Sequence, residues 1–333
     1  MNKKIHYVYY AILLLALCAG PFMVYPILLM KLLCFALFAC AFNLLLGYTG
    51  LLSFGHAIFL GGAGYITGYV MQELGMPFEI GILAGVVAGA LVGWAMGTLA
   101  VRRQGIYFTM ITLALAQMLY FVLLQAPFTH GEDGLSVQRG KLLGTFDLSN
   151  DMLMYYVVLA ISIGGFALIV RIIHSPYGQV LKAIKENEPR AISLGYDVNR
   201  YKLLAFVLSA GLSGLAGATR CLVNHQASLT DIDWAMSGLI VLTTLVGGMG
   251  TIYGPLVGAV VIVVLDNRLG EIGDWLAKVT GVEWFHTLGD SVSIVTGLIF
   301  IACVLLFRRG IVGELLAWTA KRSAGKAAKS LPA

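Results

Sequence analysis

Residues 27–70, ILLMKLLCFALFACAFNLLLGYTGLLSFGHAIFLGGAGYITGYV, carry Lys31 as their only charged side chain and gather glycine and polar residues near their middle. A membrane-spanning helix needs about 20 mostly apolar residues. The stretch therefore reads as two spans, 27–46 and 51–70. The second opens on a segment broken by glycine, Gly47-Tyr48-Thr49-Gly50-Leu51-Leu52-Ser53-Phe54-Gly55-His56.

Outward from this pair, the same criterion marks further apolar segments at 7–25, 79–100, 106–125, 152–171, 203–222, 235–248, 254–266 and 289–307, with those at 235–248 and 254–266 short. Composition agrees. The chain is 59% hydrophobic and 12% charged, where an ordinary soluble domain carries roughly 25% charged residues, and its mean hydropathy is +0.86. The expected fold is all-α, a polytopic transmembrane bundle of about ten spans with interrupted helices. The transmembrane domain is expected over 1–310 and a basic tail over 311–333.

Charge sets the orientation. With a cytoplasmic N-terminus and alternating sides, 16 of the 22 basic residues fall inside, as the positive-inside rule requires, and both termini are cytoplasmic. The outside receives Lys31, Arg139, Lys141, Arg220, Arg268 and Lys278. Because the basic residues sit between apolar runs and form no stripe, they argue against a nucleic-acid partner despite a net charge of +5. The tail segment KRSAGKAAKS, 321–330, reads as solvated, with weak attraction to anionic membrane lipid. The N-terminal run after MNKK reads as an uncleaved first span, because Leu17 is too large for the position before the cysteine of a lipoprotein cleavage box. Cys18, Cys34, Cys40, Cys221 and Cys303 lie in or beside apolar segments and suggest neither disulfides nor a metal site.

A second broken segment, Gly247-Gly248-Met249-Gly250-Thr251-Ile252-Tyr253-Gly254-Pro255-Leu256-Val257-Gly258, resembles the first in spacing. Paired interrupted segments often mark internal repeats and a solute site where freed backbone groups face a cavity. The competing reading is close helix packing through small residues, assigned here to Gly85, Gly89 and Gly93 and to Gly61, Ala63 and Gly64. Candidate substrate-pathway residues are Tyr48, Ser53 and His56, with Gly50, Gly55, Gly247 and Gly250. An intramembrane histidine is a functional candidate, and hydrogen bonding of His56 to a backbone carbonyl or a neighbouring helix is the structural alternative. No Cys, Asp or Glu stands at ligand spacing from it, so no metal is expected.

Several absences narrow the mechanism. The spans from 51–70 to 203–222 hold no Asp, Glu or Lys centrally, which argues against a proton relay. No GxxxxGK[ST] phosphate loop occurs, nor a GxSxG or HExxH motif that would support an intramembrane hydrolase. Energy must then come from another protein.

Two soluble stretches remain. Residues 126–151 are expected as an external loop with no evident chemistry. Residues 172–202 form the only sizeable internal loop, in which Asn187 suits an N-cap, Glu188 and Pro189 a first turn and Gly195 the position past a helix end. A short helix is predicted over 188–194. Ala191, Ile192 and Leu194 are too few to anchor it in headgroups, so docking into a groove on another protein is favoured.

The runs 175–218, SPYGQVLKAIKENEPRAISLGYDVNRYKLLAFVLSAGLSGLAGA, 43–66, NLLLGYTGLLSFGHAIFLGGAGYI, 102–118, RRQGIYFTMITLALAQM, and 245–259, LVGGMGTIYGPLVGA, resemble the LivM family of branched-chain amino acid permeases of bacterial ATP-binding-cassette importers. The similarity spans roughly 30–310. It implies a multi-pass inner-membrane subunit working with a LivH-type permease, two cytoplasmic ATPases that bind ATP and magnesium, and an extracytoplasmic solute-binding protein. No cofactor is expected on this chain. The resemblance also implies that Glu188, Pro189, Arg190, Ala191, Leu194 and Gly195 belong to a coupling helix seated in an ATPase groove, with Ala191 and Gly195 as its small positions. A urea or short-chain amide permease shares the motif set. A stand-alone channel or facilitator is the reading from a different class.

Overall fold

The structure is a computed structural model that describes residues 17–142, 144, 146–280, 297–298, 301 and 310–315. The expected spans at 7–25 and 289–307 and the tail beyond 315 fall largely or wholly outside the described residues, as does Cys303. The described chain is helical almost throughout. Its helices are α1 (Pro26–Thr49), α2 (Ala57–Gln72), α3 (Phe78–Ala100), α4 (Ile106–Gln125), α5 (Asp151–His174), α6 (Pro176–Glu186), α7 (Glu188–Ser193), α8 (Val198–Asn224), α9 (Trp234–Gly247) and α10 (Gly254–Thr280).

Among the described residues, α1, α3, α4, α5 and α8 are long and apolar enough to cross a membrane. Helix α1 is apolar on nearly all sides, α8 is apolar along its central stretch, and both are mostly buried, whereas α4 leaves most of its surface open. A helix apolar all round and enclosed belongs at the centre of a bundle, and one apolar but open faces lipid or another subunit. Helix α9, with 14 residues, rises only about 21 Å. The apolar segment expected over 254–266 is in fact the start of a 27-residue helix running through Asp266 and Asn267 to Thr280. Polarity marks where an apolar surface ends, and a helix continues beyond it wherever propensity and hydrogen bonding permit.

Close packing is concentrated where α8 meets α2 and α3. Gly89 faces the Ala210 carbonyl and Gly214, and Gly93 faces Ala210. A Cβ on Gly217 would overlap the Leu60 carbonyl. Backbones this close gain dispersion contacts that larger side chains would prevent. The packing role expected for Gly85, Gly89 and Gly93 thus corresponds to a specific interface, with Gly85 set against Ala63 and Ala218.

Within the expected external loop, short strand pairs among the described residues qualify the all-α expectation. Leu135–Ser136 pairs antiparallel with Gln226–Ala227, and Lys141–Leu142 with Phe146–Asp147. Buried Arg139 donates to the carbonyls of Leu222 and Val223 at 3.2 and 3.4 Å and pairs with Asp151 in the first turn of α5. One guanidinium therefore satisfies open carbonyls near the C-terminus of α8 and a carboxylate at the N-terminus of α5, where each charge suits the helix dipole. A lone arginine in a polar loop gave no sequence signal for this.

Candidate functional site

The two glycine-broken segments, some 200 residues apart in the chain, meet. Asn43 on α1 donates its Nδ2 to the Thr251 carbonyl at 2.8 Å, and its Oδ1 accepts from the Gly250 N–H at 3.0 Å. The contact needs Gly47, because a Cβ there would lie 2.8 Å from the Gly250 nitrogen. It also needs glycine at 250, whose φ of +77° is a left-handed conformation that other residues adopt at a cost. Gly50 ends α1 in the same region of backbone space, φ +76°. Interrupting a helix frees carbonyls and N–H groups that must find partners, and Asn43 supplies one of each kind.

A third partner arrives from the internal loop. Ser175 caps α6, its Oγ accepting from Gly178 N–H, and Pro176 occupies the first turn. Near the other end of α6, Lys185 donates its Nζ to the Gly47 carbonyl at 2.6 Å. Desolvation of the ammonium lowers its pKa. Lys182 lies with its Nζ 5.7 Å from the centroid of the Tyr48 ring, within reach of a cation–π attraction. The Ser175–Pro176 pair was a readable start signal for α6, but the helix was not predicted, and neither was the role of Lys185.

Helix α7 spans Glu188–Ser193, with Asn187 Oδ1 accepting from Arg190 N–H and Gly195 just past the end at φ +87°. Glu188 joins three elements: its carboxylate takes 2.6 Å from Lys202 Nζ on α8 and 2.8 Å from Gln104 Nε2 in the turn before α4. Ala191, 2% exposed, packs with Ile184 of α6 and Val198 of α8. Tyr177 of α6 stacks on Tyr201 of α8 and donates its hydroxyl to the Tyr201 carbonyl at 2.9 Å, while burial raises its pKa. Helices α6 and α7 are thus held as a unit on α8. Pro189 and Arg190 face outward, and Ile192 and Leu194 are 57% and 68% exposed. Helix α7 and the residue that follows it thus present exposed apolar side chains on a well-held segment.

Gly47, Gln104, Lys185, Glu188, Lys202 and Gly250 thus cluster at one end of the bundle. Lys202 and Leu222 stand 20 positions apart on α8, about 30 Å of helix, so the Arg139 contact to Leu222 marks the other end.

The remaining pathway candidates are enclosed. Fully buried His56 sits in an aromatic cage, its ring centroid 5.1 Å from those of Phe42 and Phe59 and 5.8 Å from that of Phe206, all edge to face. Its Nε2 lies 2.8 Å from Ser209 Oγ, and that hydroxyl donates to the Ala41 carbonyl at 2.6 Å. The serine oxygen therefore accepts from Nε2–H. Ser53, also fully buried, accepts from Gly55 N–H at 3.3 Å, and Tyr48 is buried beneath Lys182. Gly55 packs against the Thr112 carbonyl, and Gly247 against that of Gly254. In this conformation none of these side chains opens onto free space.

A bundle of apolar helices with clamped breaks and an organised polar loop at one end defines a multi-pass membrane protein of the permease class. The chain belongs to the family described as branched-chain amino acid transport system / permease component, whose model matches residues 25–308. It is similar to the high-affinity branched-chain amino acid transport system permease protein LivM of Salmonella typhimurium and to that of Escherichia coli. Each is 25% identical, over 72% of this chain and 62% of the relative. It is also 30% identical to the ribose import permease protein RbsC of Bacillus subtilis, over 51% of this chain and 48% of that protein. The chain therefore spans 62% of the length of the LivM proteins it matches. No solved structure matches it.

Proposed function

We propose that this chain is one permease subunit of an ATP-binding-cassette importer in the bacterial inner membrane, and that the importer carries leucine, isoleucine and valine. Ten spans place both termini and the 172–202 loop in the cytoplasm, with 126–151 outside. The partners are a LivH-type permease, two cytoplasmic ATPases that bind ATP and magnesium, and an extracytoplasmic solute-binding protein.

The observation that carries this reading is the continuous linkage from an exposed α7 to the clamped breaks. ATPase closure displaces α7 through Ile192 and Leu194. The packing of Ala191 on Ile184 carries the motion to α6. Lys185 delivers it to the Gly47 carbonyl, where α1 ends and the 247–258 break begins. Glycine breaks change backbone angles at little steric cost, so the junction is where outward and inward access interchange. Tyr48, Ser53, His56 and the glycines beside them line the region that opens, with the His56 cage as its fixed wall.

Ile192→Glu with Leu194→Glu tests the docking step. Both positions are exposed, so the fold should stay intact while copurification of the ATPases falls at least tenfold. Ala191 is a poor probe, because it packs against this chain's own core. Unchanged copurification and uptake would refute the docking. The likeness to ribose permeases favours sugar uptake as a second reading, and competition between labelled leucine and ribose for uptake separates the two.

A further inference from the structure

Where the end of α3 meets the start of α8, at the same end of the bundle as Lys185, lies a cavity of about 410 Å³. The two helices run close there, because Gly97 faces Leu203 and Phe206 without a side chain of its own. Gly97, Val101 and Leu203 form the apolar side of the cavity, and Thr98, Arg102, Asp197, Asn199 and Arg200 supply its polar groups.

The charge available to a ligand is positive. Asp197 is already committed, its Oδ1 accepting from Arg200 N–H at 3.3 Å and its Oδ2 from Arg200 Nε at 2.8 Å. That pair orients the Arg200 guanidinium and leaves its two Nη groups over, and the Arg102 side chain has no partner among the described residues. Both arginines are exposed, so nothing strands them. What selects a partner is the level at which they stand. Within one helical turn of each basic residue the exposed surface changes from charged to apolar: from Arg102 back to Leu99 on α3, from Arg103 to Ile106 at the start of α4, and from Arg200 on to Leu204 on α8. Exposed Tyr107 stands at the same boundary, where amphipathic rings collect at a membrane–water interface. A cationic cavity with an apolar margin suits a ligand that has an anionic head and a hydrocarbon tail.

We propose that this cavity seats an anionic phospholipid. Its phosphate lies between Arg102 and the Nη groups of Arg200, the Asn199 amide adds a neutral donor, and the acyl chains run along Leu99 and Leu204. A zwitterionic headgroup brings an ammonium that Arg102 and Arg200 repel, and a free anion gains nothing from the apolar margin. The turn that bears Arg102 also bears Gln104, which donates to Glu188 of α7, so the lipid rests on an element that holds the exposed short helix. The proposal requires only that the chain spans a membrane, whichever solute it carries.

Native mass spectrometry of the full chain tests it, after equilibration in detergent with phosphatidylglycerol, with phosphatidylcholine of the same acyl chains, or with phosphatidylglycerol plus an equal concentration of inorganic phosphate. Two basic residues at an anionic headgroup should make wild type prefer phosphatidylglycerol over phosphatidylcholine by about tenfold or more for the first bound lipid, with inorganic phosphate unable to displace it. Arg102→Gln touches no internal contact and should reduce the preference about fivefold, and Arg102→Gln with Arg200→Gln should abolish it. Arg171→Gln, at an exposed arginine of α5 outside the cavity, should leave it unchanged. Equal retention of the two lipids by wild type, an undiminished preference in Arg102→Gln, or the same loss from Arg171→Gln would overturn the proposal. Displacement of the lipid by inorganic phosphate would overturn it in favour of a free-anion site.

Discussion

Two regions of this molecule are rich in glycine, and glycine does different work in each. At the α2–α3–α8 contact it sits inside unbroken helices, where Gly89, Gly214 and Gly217 remove bulk so that backbones can touch. At the Gly47–Gly250 junction it ends helices, through Gly50 after α1 and Gly248 and Gly250 between α9 and α10, and the open backbone groups are captured by Asn43 and Lys185. The first arrangement is held by packing, whereas the second is held by three hydrogen bonds. A permease needs both, a rigid frame and a place that moves.

That contrast breaks if the two regions respond alike to substitution. Gly217→Leu should have the largest effect. Overpacking a tight site costs about 1–3 kcal/mol, and more where the new atoms strike backbone, so no monodisperse protein is expected by size exclusion in detergent. Asn43→Leu comes next: it strands the Gly250 N–H and the Thr251 carbonyl, at about 1–3 kcal/mol for each buried unpaired group. A folded protein with a clearly lowered thermal midpoint is expected. Lys185→Met, which releases one carbonyl, should cost about 1 kcal/mol and leave the midpoint close to wild type. Ile192→Glu with Leu194→Glu should change stability least, within about 0.5 kcal/mol per surface site, while abolishing ATPase copurification. Equal loss of stability from Lys185→Met and Gly217→Leu would remove the distinction between frame and hinge.

The frame was largely legible from sequence, because apolar run length and small-residue spacing report directly on helices that pack in lipid. The capped helix at Glu188 was legible too, through Asn187, Pro189 and Gly195. What could not be read was pairing at long range. Asn43 and Gly250 lie 207 positions apart, and nothing local to either predicts the bond. Arg139 gives no hint that it closes α8, and His56 none of its aromatic cage. Helix α6 was the avoidable omission, since Ser175 and Pro176 announce its start. The end of α10 was hidden because polar residues such as Asp266 interrupt the apolar pattern without interrupting the helix.

The central claim is that the 172–202 loop drives the broken helices through the Lys185–Gly47 bond. Its most direct test is uptake of labelled leucine by proteoliposomes holding the complete importer, with wild-type chain or Lys185→Met. The account predicts that the variant keeps its ATPases bound and hydrolysing ATP while uptake falls at least tenfold. Uptake at the wild-type rate in Lys185→Met would contradict it.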